Sequence, residues 1–319
     1  MQDKISSIEI ENFKLFKELK IKDFKRVNLI GGKNNIGKTA LLEAINLNVS
    51  AIDFNILISN IKNMLYRRHN MIELDIFLQD TNKLRLITDN RNIAISYENK
   101  LPETIIYLEL NKVKQGIPLG HILNGTLMLN QYKFNNVNFI PSGYVDTTML
   151  SELYGYLVSI GKDDIIDNSL RLFDDNIISV RQVIQGKAMF KVKLKHLNQP
   201  ISLTSLGEGI NRFMAIICAI WASKDGYLFI DEIENGIHYT NYEKLWGIIF
   251  QISEEANCQV FITTHSKECI ESFNQINTAD DGSYIELYRN KKTGNIISKT
   301  RNHEVLQYSL NHNGRFRGE

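Results

Sequence analysis

The sequence has few cysteines, few prolines and almost no net charge. Three cysteines among 319 residues, without paired spacing, indicate neither a disulfide framework nor a zinc site. Four prolines argue against long proline-rich linkers. Lys and Arg number 37 and Asp and Glu number 36, which gives a net charge of +1. This balance excludes a chain that coats polyanions with charge of one sign, although it leaves room for a local basic patch.

Long apolar runs are also missing. The longest, residues 213–222, has ten residues, about half of the roughly 20 that a membrane-spanning helix needs. The first residues lack the apolar segment and the cleavage site of a signal peptide. Hydrophobic residues still make up 43% of the chain, enough for a large core. We therefore expect a folded cytoplasmic protein that makes no contact with a membrane.

Strand and helix patterns alternate at both ends of the chain, and a strand-rich segment separates them. Residues 27–30 form an apolar run typical of a strand buried on both faces, and a helix-forming segment follows Thr39. Between residues 71 and 140, short segments of strand composition follow one another, the last of them Val137–Ile140. From residue 200 onward the alternation resumes. The pattern predicts an α/β fold with a parallel-sheet core and an antiparallel, beta-rich insertion lobe.

The clearest motif is a phosphate loop, GxxxxGK(S/T), at residues 32–39. Its glycines let successive backbone N–H groups face phosphates, and the following helix adds its N-terminal dipole. Lys38 is expected to reach the β- and γ-phosphates, and the Thr39 hydroxyl to ligate Mg²⁺. The motif predicts that ATP and Mg²⁺ are the cofactors. The expected nucleotide-binding residues are Gly32, Asn34, Asn35, Gly37, Lys38 and Thr39.

Two carboxylates follow a second apolar strand. Residues 227–230 are apolar, and Asp231 and Glu232 come directly after them. Asp231 is expected to hold Mg²⁺, directly or through water. Glu232 is expected to accept a proton from the water that attacks the γ-phosphate. An ordinary solvated strand end can carry the same two acids, and it is the phosphate loop upstream that favours the catalytic interpretation.

A third motif precedes an apolar helix. The segment Ser205-Leu206-Gly207-Glu208 offers a hydroxyl, free backbone N–H groups and a helix dipole, which together attract anions. Because one chain does not need two γ-phosphate sites, Ser205 and Gly207 are expected to complete the site of a second subunit. The alternative is a capping box formed by Ser205 and Glu208, and the two interpretations are compatible.

A histidine ends the next apolar strand. His265 follows residues 261–264, and its imidazole can hydrogen-bond the γ-phosphate or orient the attacking water. A lone histidine is more often an ordinary surface or core residue. The prediction of a catalytic role therefore depends on this strand lying next to the one that carries Asp231 and Glu232.

In this order the four motifs resemble those of ABC-type ATPase heads, and most closely those of the RecF, SMC and OLD (overcoming lysogenization defect) group. Residues 8–16 and 27–35 look like that group's N-terminus, and residues 231–238 are similar to the Walker B motif and D-loop of its OLD-like branch. The resemblance implies a P-loop NTPase of the ABC-ATPase head type. It divides one discontinuous domain into a core, residues 1–50 and 200–319, and an insertion, residues 51–199.

The resemblance also implies a function. It indicates an Mg²⁺-dependent ATPase that forms a homodimer around ATP and acts as motor or sensor of a DNA-repair or antiphage defence system, with DNA as a possible ligand. The segment after His265 is too short for the Toprim nuclease domain of full OLD proteins, so we expect any nuclease or other effector to be a separate chain. A transporter nucleotide-binding subunit and a non-hydrolysing ATP switch stay open as alternatives. Gln79 and Gln131 are both candidates for the Q-loop glutamine.

Overall fold

The computed structural model describes residues 4–67, 76–78, 81–124 and 136–312. Its strands are β1 (Ile8–Phe13), β2 (Phe16–Ile21), β3 (Val27–Gly32), β4 (Lys83–Thr88), β5 (Asn92–Lys100), β6 (Glu103–Leu110), β7 (Val113–Pro118), β8 (Val137–Ile140), β9 (Ile177–Gln185), β10 (Lys187–Leu194), β11 (Ile201–Ser202), β12 (Tyr227–Ile230), β13 (Gln259–Thr263), β14 (Gly282–Arg289) and β15 (Ile296–Arg301). Its helices are α1 (Lys38–Ser50), α2 (Phe54–Arg67), α3 (Leu119–Asn124), α4 (Thr147–Ser159), α5 (Asp163–Phe173), α6 (Glu208–Ala222), α7 (Tyr242–Glu255), α8 (Lys267–Ile276) and α9 (His303–Asn311).

A central six-stranded sheet, in the order β15-β14-β3-β13-β12-β8, carries the phosphate loop. The strands from β14 to β8 run parallel, and β15 is antiparallel to β14. Strands β3, β12 and β13 are buried along their whole length, as apolar strands covered on both faces should be. Because they are parallel, their carboxyl ends meet at one edge of the sheet, where α/β proteins bind their ligands.

A second six-stranded sheet is antiparallel, in the order β2-β1-β4-β5-β6-β7. It contains β4, β5 and β6, which the sequence predicts for the lobe, and in addition β7 and the first two strands of the chain. Ile8 of β1 pairs with Thr88 of β4, and the register continues to Glu11 and Arg85. The division into core and insertion stays a prediction, but its boundary at residue 50 crosses this sheet.

Helix α1 lies between the two sheets. Its buried residues, among them Leu41 and Ile45, share one hydrophobic cluster with Ile10 of the lobe and Phe229 of the central sheet. On the other side of the central sheet, helices α4 to α8 and the β9–β10 hairpin form a second cluster around Phe213. Within the described part of the chain, no helix combines the length and apolar character needed to cross a membrane.

The placement of Val137–Ile140 in the lobe is wrong. This strand, β8, pairs in parallel with β12, from Tyr227 opposite Val137 to Ile230 opposite Ile140. A strand of only four residues, three of them apolar, fits either sheet, so composition alone does not choose between the two sheets. The pairing brings the loop after β8 to the edge of the central sheet that carries the phosphate loop.

The packing of the central sheet gives a stability test. Ile262 in β13 is fully buried, whereas Ile184 in the β9–β10 hairpin is 78% exposed. We expect Ile262→Ala to lower the free energy of unfolding by about 2–5 kcal/mol, because it leaves a cavity in the core. The matched Ile184→Ala variant should change it by about 0.5 kcal/mol or less. Urea unfolding measures both, and equal losses would contradict the assignment of this core.

Candidate functional site

The phosphate loop joins β3 to α1. Gly32, Asn35 and Gly37 have φ angles of 142°, 58° and 98°, the region that favours glycine and tolerates asparagine. Gly37 caps α1 without a side-chain hydrogen bond, so no cap covers the start of the helix. The Nζ of Lys38 donates to the carbonyls of Gly32 (2.9 Å) and Lys33 (3.0 Å), which folds the side chain over the loop. The loop has the curled backbone, open helix start and ammonium group that a phosphate ligand needs.

Lys38 faces a group of carboxylates. Burial lowers the pKa of Lys38, because removal from water penalises the ammonium form, while Glu234, Glu232 and Asp231 raise it. The phosphate loop and the acids at the end of β12 therefore surround one space, as the sequence predicts.

Asp231 is hydrogen-bonded to residues from two other elements. The Thr39 hydroxyl of α1 donates to its Oδ1 and Oδ2 at 3.1 and 3.0 Å, and the Thr263 hydroxyl of β13 donates to Oδ1 at 2.6 Å. Burial raises the pKa of Asp231, and the two threonine hydrogen bonds lower it. The predicted metal ligands Thr39 and Asp231 are thus brought together.

These oxygens fit Mg²⁺. The ion prefers one or two carboxylate or hydroxyl ligands and fills its remaining positions with phosphate oxygens and water. In the described ranges, no group of three or more His, Cys, Asp or Glu side chains could hold a metal ion. A Mg²⁺ ion at Thr39 and Asp231 would take its remaining ligands from phosphate oxygens and water.

Glu232 follows Asp231 with a left-handed backbone, φ 50°. Its N–H donates to the Thr263 hydroxyl at 2.8 Å. The Nδ2 of Asn235 donates to Oε2 of Glu232 (2.8 Å) and to the carbonyl of Ser142 (2.9 Å) in the loop after β8. Asn235 therefore orients the carboxylate and leaves it able to accept a proton. The sequence analysis does not predict this role, because a loop asparagine carries no distinctive pattern.

Arg212 of α6 holds the backbone at the end of β12. The side chain is almost fully buried, and one terminal nitrogen donates to the carbonyls of Asp231 (2.6 Å) and Glu232 (3.0 Å). The other donates to the carbonyl of Pro141 at 2.8 Å, which joins β12 to the end of β8. The sequence analysis also misses this arginine; its only signal is a charge at a position of α6 that is otherwise apolar.

Strand β13 lies beside β12, with Ile230 opposite Ile262, so the condition set for His265 is met. Oε1 of Glu234 accepts a hydrogen bond from the backbone N–H of His265 at 2.7 Å, and the ring Nδ1 of His265 lies 2.9 Å from the same oxygen. The His265 side chain is 44% exposed and that of Glu234 is 8% exposed. The imidazole is thus anchored on its protein side, and a contact with a nucleotide stays a prediction.

The start of α6 is open. Ser205 lies exposed in a short 3-10 turn, and Gly207 caps the helix with φ 98° and no side-chain hydrogen bond, so the capping box with Glu208 is not formed. A Cβ on Gly209 would lie 2.2 Å from the carbonyl oxygen of Gly236. The helix start is therefore uncapped on one side and packed against the loop after β12 on the other.

The remaining candidates contribute less. The side chains of Asn34 and Asn35 are exposed at the tip of the phosphate loop. The two Q-loop candidates, Gln79 and Gln131, lie outside the described residues.

Two family models match the chain. Residues 7–143 match an AAA domain, and residues 150–270 match an AAA ATPase domain. The ATP/GTP phosphatase of Helicobacter pylori is 27% identical and covers 95% of this chain and 97% of its own length. An uncharacterized protein of Methanocaldococcus jannaschii is 38% identical over 65 residues, which are 20% of this chain and 30% of that protein.

Solved SMC heads share the fold. A head bound to the C-winged helix domain of ScpA aligns with a TM-score of 0.59 at 12% identity, over 95% of this chain and 99% of that one. The SMC head of Thermotoga maritima aligns with a TM-score of 0.52 at 14% identity, over 94% and 99%. The predicted fold, a P-loop NTPase of the ABC-ATPase head type with an antiparallel lobe, is confirmed.

The buried carboxylate gives a test of whether this edge is built for a ligand. Asp231→Asn removes a buried charge but keeps an oxygen that accepts from Thr263. Without nucleotide, we expect Asp231→Asn to raise the free energy of unfolding by about 1 kcal/mol relative to the wild type, because a buried charge kept for function lowers stability. Urea unfolding checks this against Asp23→Asn, an exposed position with φ 65° that should change nothing. A lower midpoint for Asp231→Asn would mean that the carboxylate is structural.

Proposed function

We propose that this chain is an ATPase of the AAA family and that its ATP site lies at the carboxyl edge of the central sheet; the two matching family models and the fold shared with SMC heads support this. The observation that carries the proposal is the set of hydrogen bonds from Thr39 and Thr263 to Asp231. It joins the phosphate-loop helix to the strand that carries the predicted base, Glu232. We further propose ATP as the nucleotide; the H. pylori relative is named as a phosphatase of both ATP and GTP.

Each group then has a separate task. The loop backbone and Lys38 bind the phosphates, and Thr39 and Asp231 hold Mg²⁺, which neutralises phosphate charge when it is bound. Glu232, oriented by Asn235, accepts the proton of the attacking water. His265, on the neighbouring strand, contacts the γ-phosphate or that water.

Replacing the base should separate binding from turnover. Glu232→Gln keeps the shape of the side chain but removes the proton acceptor, so ATP binding should persist while kcat falls at least about 100-fold. Lys38→Ala should lose binding itself, whereas Lys224→Ala, an exposed lysine before β12, should keep both. Fluorescent-nucleotide titration and phosphate release, each run with ATP and GTP, measure the two steps. Unchanged turnover in Glu232→Gln would exclude this base.

The open start of α6 supports a dimer. Ser205 and Gly207 are exposed, and no side chain caps the helix that follows them. An uncapped helix start attracts anions. The chain's own nucleotide already has such a helix start at α1, so the start of α6 is left for another ligand. We therefore propose that each α6 completes the ATP site of a second copy, with two-fold symmetry and two composite sites. ATP would then hold the dimer closed, and hydrolysis would loosen it.

Dimerisation should depend on ATP. In Glu232→Gln, light scattering should show the mass doubling when ATP and Mg²⁺ are added, because the nucleotide is bound but not consumed. Ser205→Arg in the same background should stay monomeric, since a bulky cation blocks the composite site. Mixing Ser205→Arg with Lys38→Ala subunits should restore some ATPase activity, as one intact site remains in a mixed dimer. A protein that stays monomeric with ATP would refute the composite site.

At the level of the cell, we propose a motor or sensor in DNA repair or antiphage defence that acts through a separately encoded effector. The family resemblance supports this role. One of the SMC heads of similar fold was solved with a domain of a second protein, ScpA, bound to it. The gene neighbourhood separates the possibilities: a nuclease gene beside this one favours defence or repair, and a permease gene favours transport.

A further inference from the structure

Glu234 lies behind His265 and has no role in the chemistry described above. One of its oxygens, Oε1, lies 2.9 Å from the ring Nδ1 of His265. The same oxygen accepts a hydrogen bond from the backbone N–H of His265 at 2.7 Å. The glutamate side chain is buried, and the imidazole is nearly half exposed. Because Nδ1 is engaged on the protein side, Nε2 is the ring nitrogen left for a ligand.

This arrangement is unfavourable for the fold alone. Among the described residues, the second oxygen, Oε2 of Glu234, is buried with no hydrogen-bond partner. Leaving a buried acceptor unpaired destabilises a protein, and more so when the group is charged. A costly charge beside the phosphate loop points to a functional role.

We propose that Glu234 is a positioning residue that fixes His265 as the tautomer protonated on Nδ1, so that Nε2 is presented to the nucleotide and its attacking water. A carboxylate oxygen accepts hydrogen bonds, so the ring nitrogen that lies 2.9 Å from it is the one that we expect to carry the proton. The hydrogen bond from the backbone N–H of His265 to the same oxygen links the ring contact to the end of β13. The inference rests on the proposed function of His265 and adds how the protein prepares that side chain.

The test is a double-mutant cycle. Glu234→Leu keeps much of the volume and removes the acceptor, while Glu234→Gln keeps an oxygen that can accept from Nδ1. We expect Glu234→Leu to lower kcat about tenfold to a hundredfold, with KM for ATP within about twofold, and Glu234→Gln to recover most of the loss. In a His265→Ala background, Glu234→Leu should change kcat by less than about twofold, because the residue it acts through is gone.

A control and a spectroscopic measurement complete the design. Glu271→Gln, which breaks an exposed ion pair with Lys267 on α8, should leave kcat within about twofold of wild type. Nitrogen-15 NMR of labelled histidine should find His265 of the nucleotide-free wild type protonated on Nδ1, and this preference should vanish in Glu234→Leu. Urea unfolding of each variant distinguishes a loss of positioning from a loss of folding.

Three results would overturn the proposal. The first is a wild-type kcat for Glu234→Leu, and the second is an equal loss with and without His265. The third is a wild-type His265 protonated on Nε2. If His265→Ala keeps full activity, the role given to His265 under the proposed function fails, and the tautomer measured by NMR still decides what Glu234 does to the ring.

Discussion

The site depends on a carboxylate that is buried before any cation is bound. Asp231 is only 5% exposed, burial raises its pKa, and two threonine hydroxyls oppose that shift. Glu232 and Glu234 add negative charge around Lys38, which burial itself weakens as a cation. A site with this balance is unfavourable when empty and favourable once a divalent cation and phosphates share it. The charge balance therefore fits a divalent cation together with phosphates, the class of ligand that the phosphate loop predicts.

The surrounding backbone is held by groups that do not face the ligand. Arg212 donates hydrogen bonds to the carbonyls of Asp231, Glu232 and Pro141, so it fixes the ends of β12 and β8. Asn235 bridges the same two strand ends through the Glu232 carboxylate. Arg212 therefore fixes the backbone through carbonyl oxygens, while its charge lies within electrostatic reach of Glu234, Asp231 and Glu232.

The sequence predicts the functional residues that belong to a local motif with characteristic spacing. The phosphate loop and the acids after residues 227–230 each combine a strand pattern with an adjacent motif, and the structure brings both groups to one edge of the sheet. It fails where a role depends on distant partners. The short strand Val137–Ile140, with three apolar residues, suits either sheet by its composition. Arg212 and Glu234 act through groups about 20 to 70 positions away, a separation that one sequence does not encode in a readable pattern.

Helix α6 connects the surface proposed to contact the partner's nucleotide with the strand end that carries Glu232. Its first residues are uncapped and exposed, where the dimer we propose would place the partner's γ-phosphate. Within the first turn, Gly209 packs so closely on the carbonyl of Gly236 that no side chain fits between them. Arg212 follows, bonded to the backbone of Glu232. A rigid helix cannot shift at its start without moving these contacts. In that dimer, nucleotide bound at one composite site would therefore affect the position of Glu232, the proposed base, at the other.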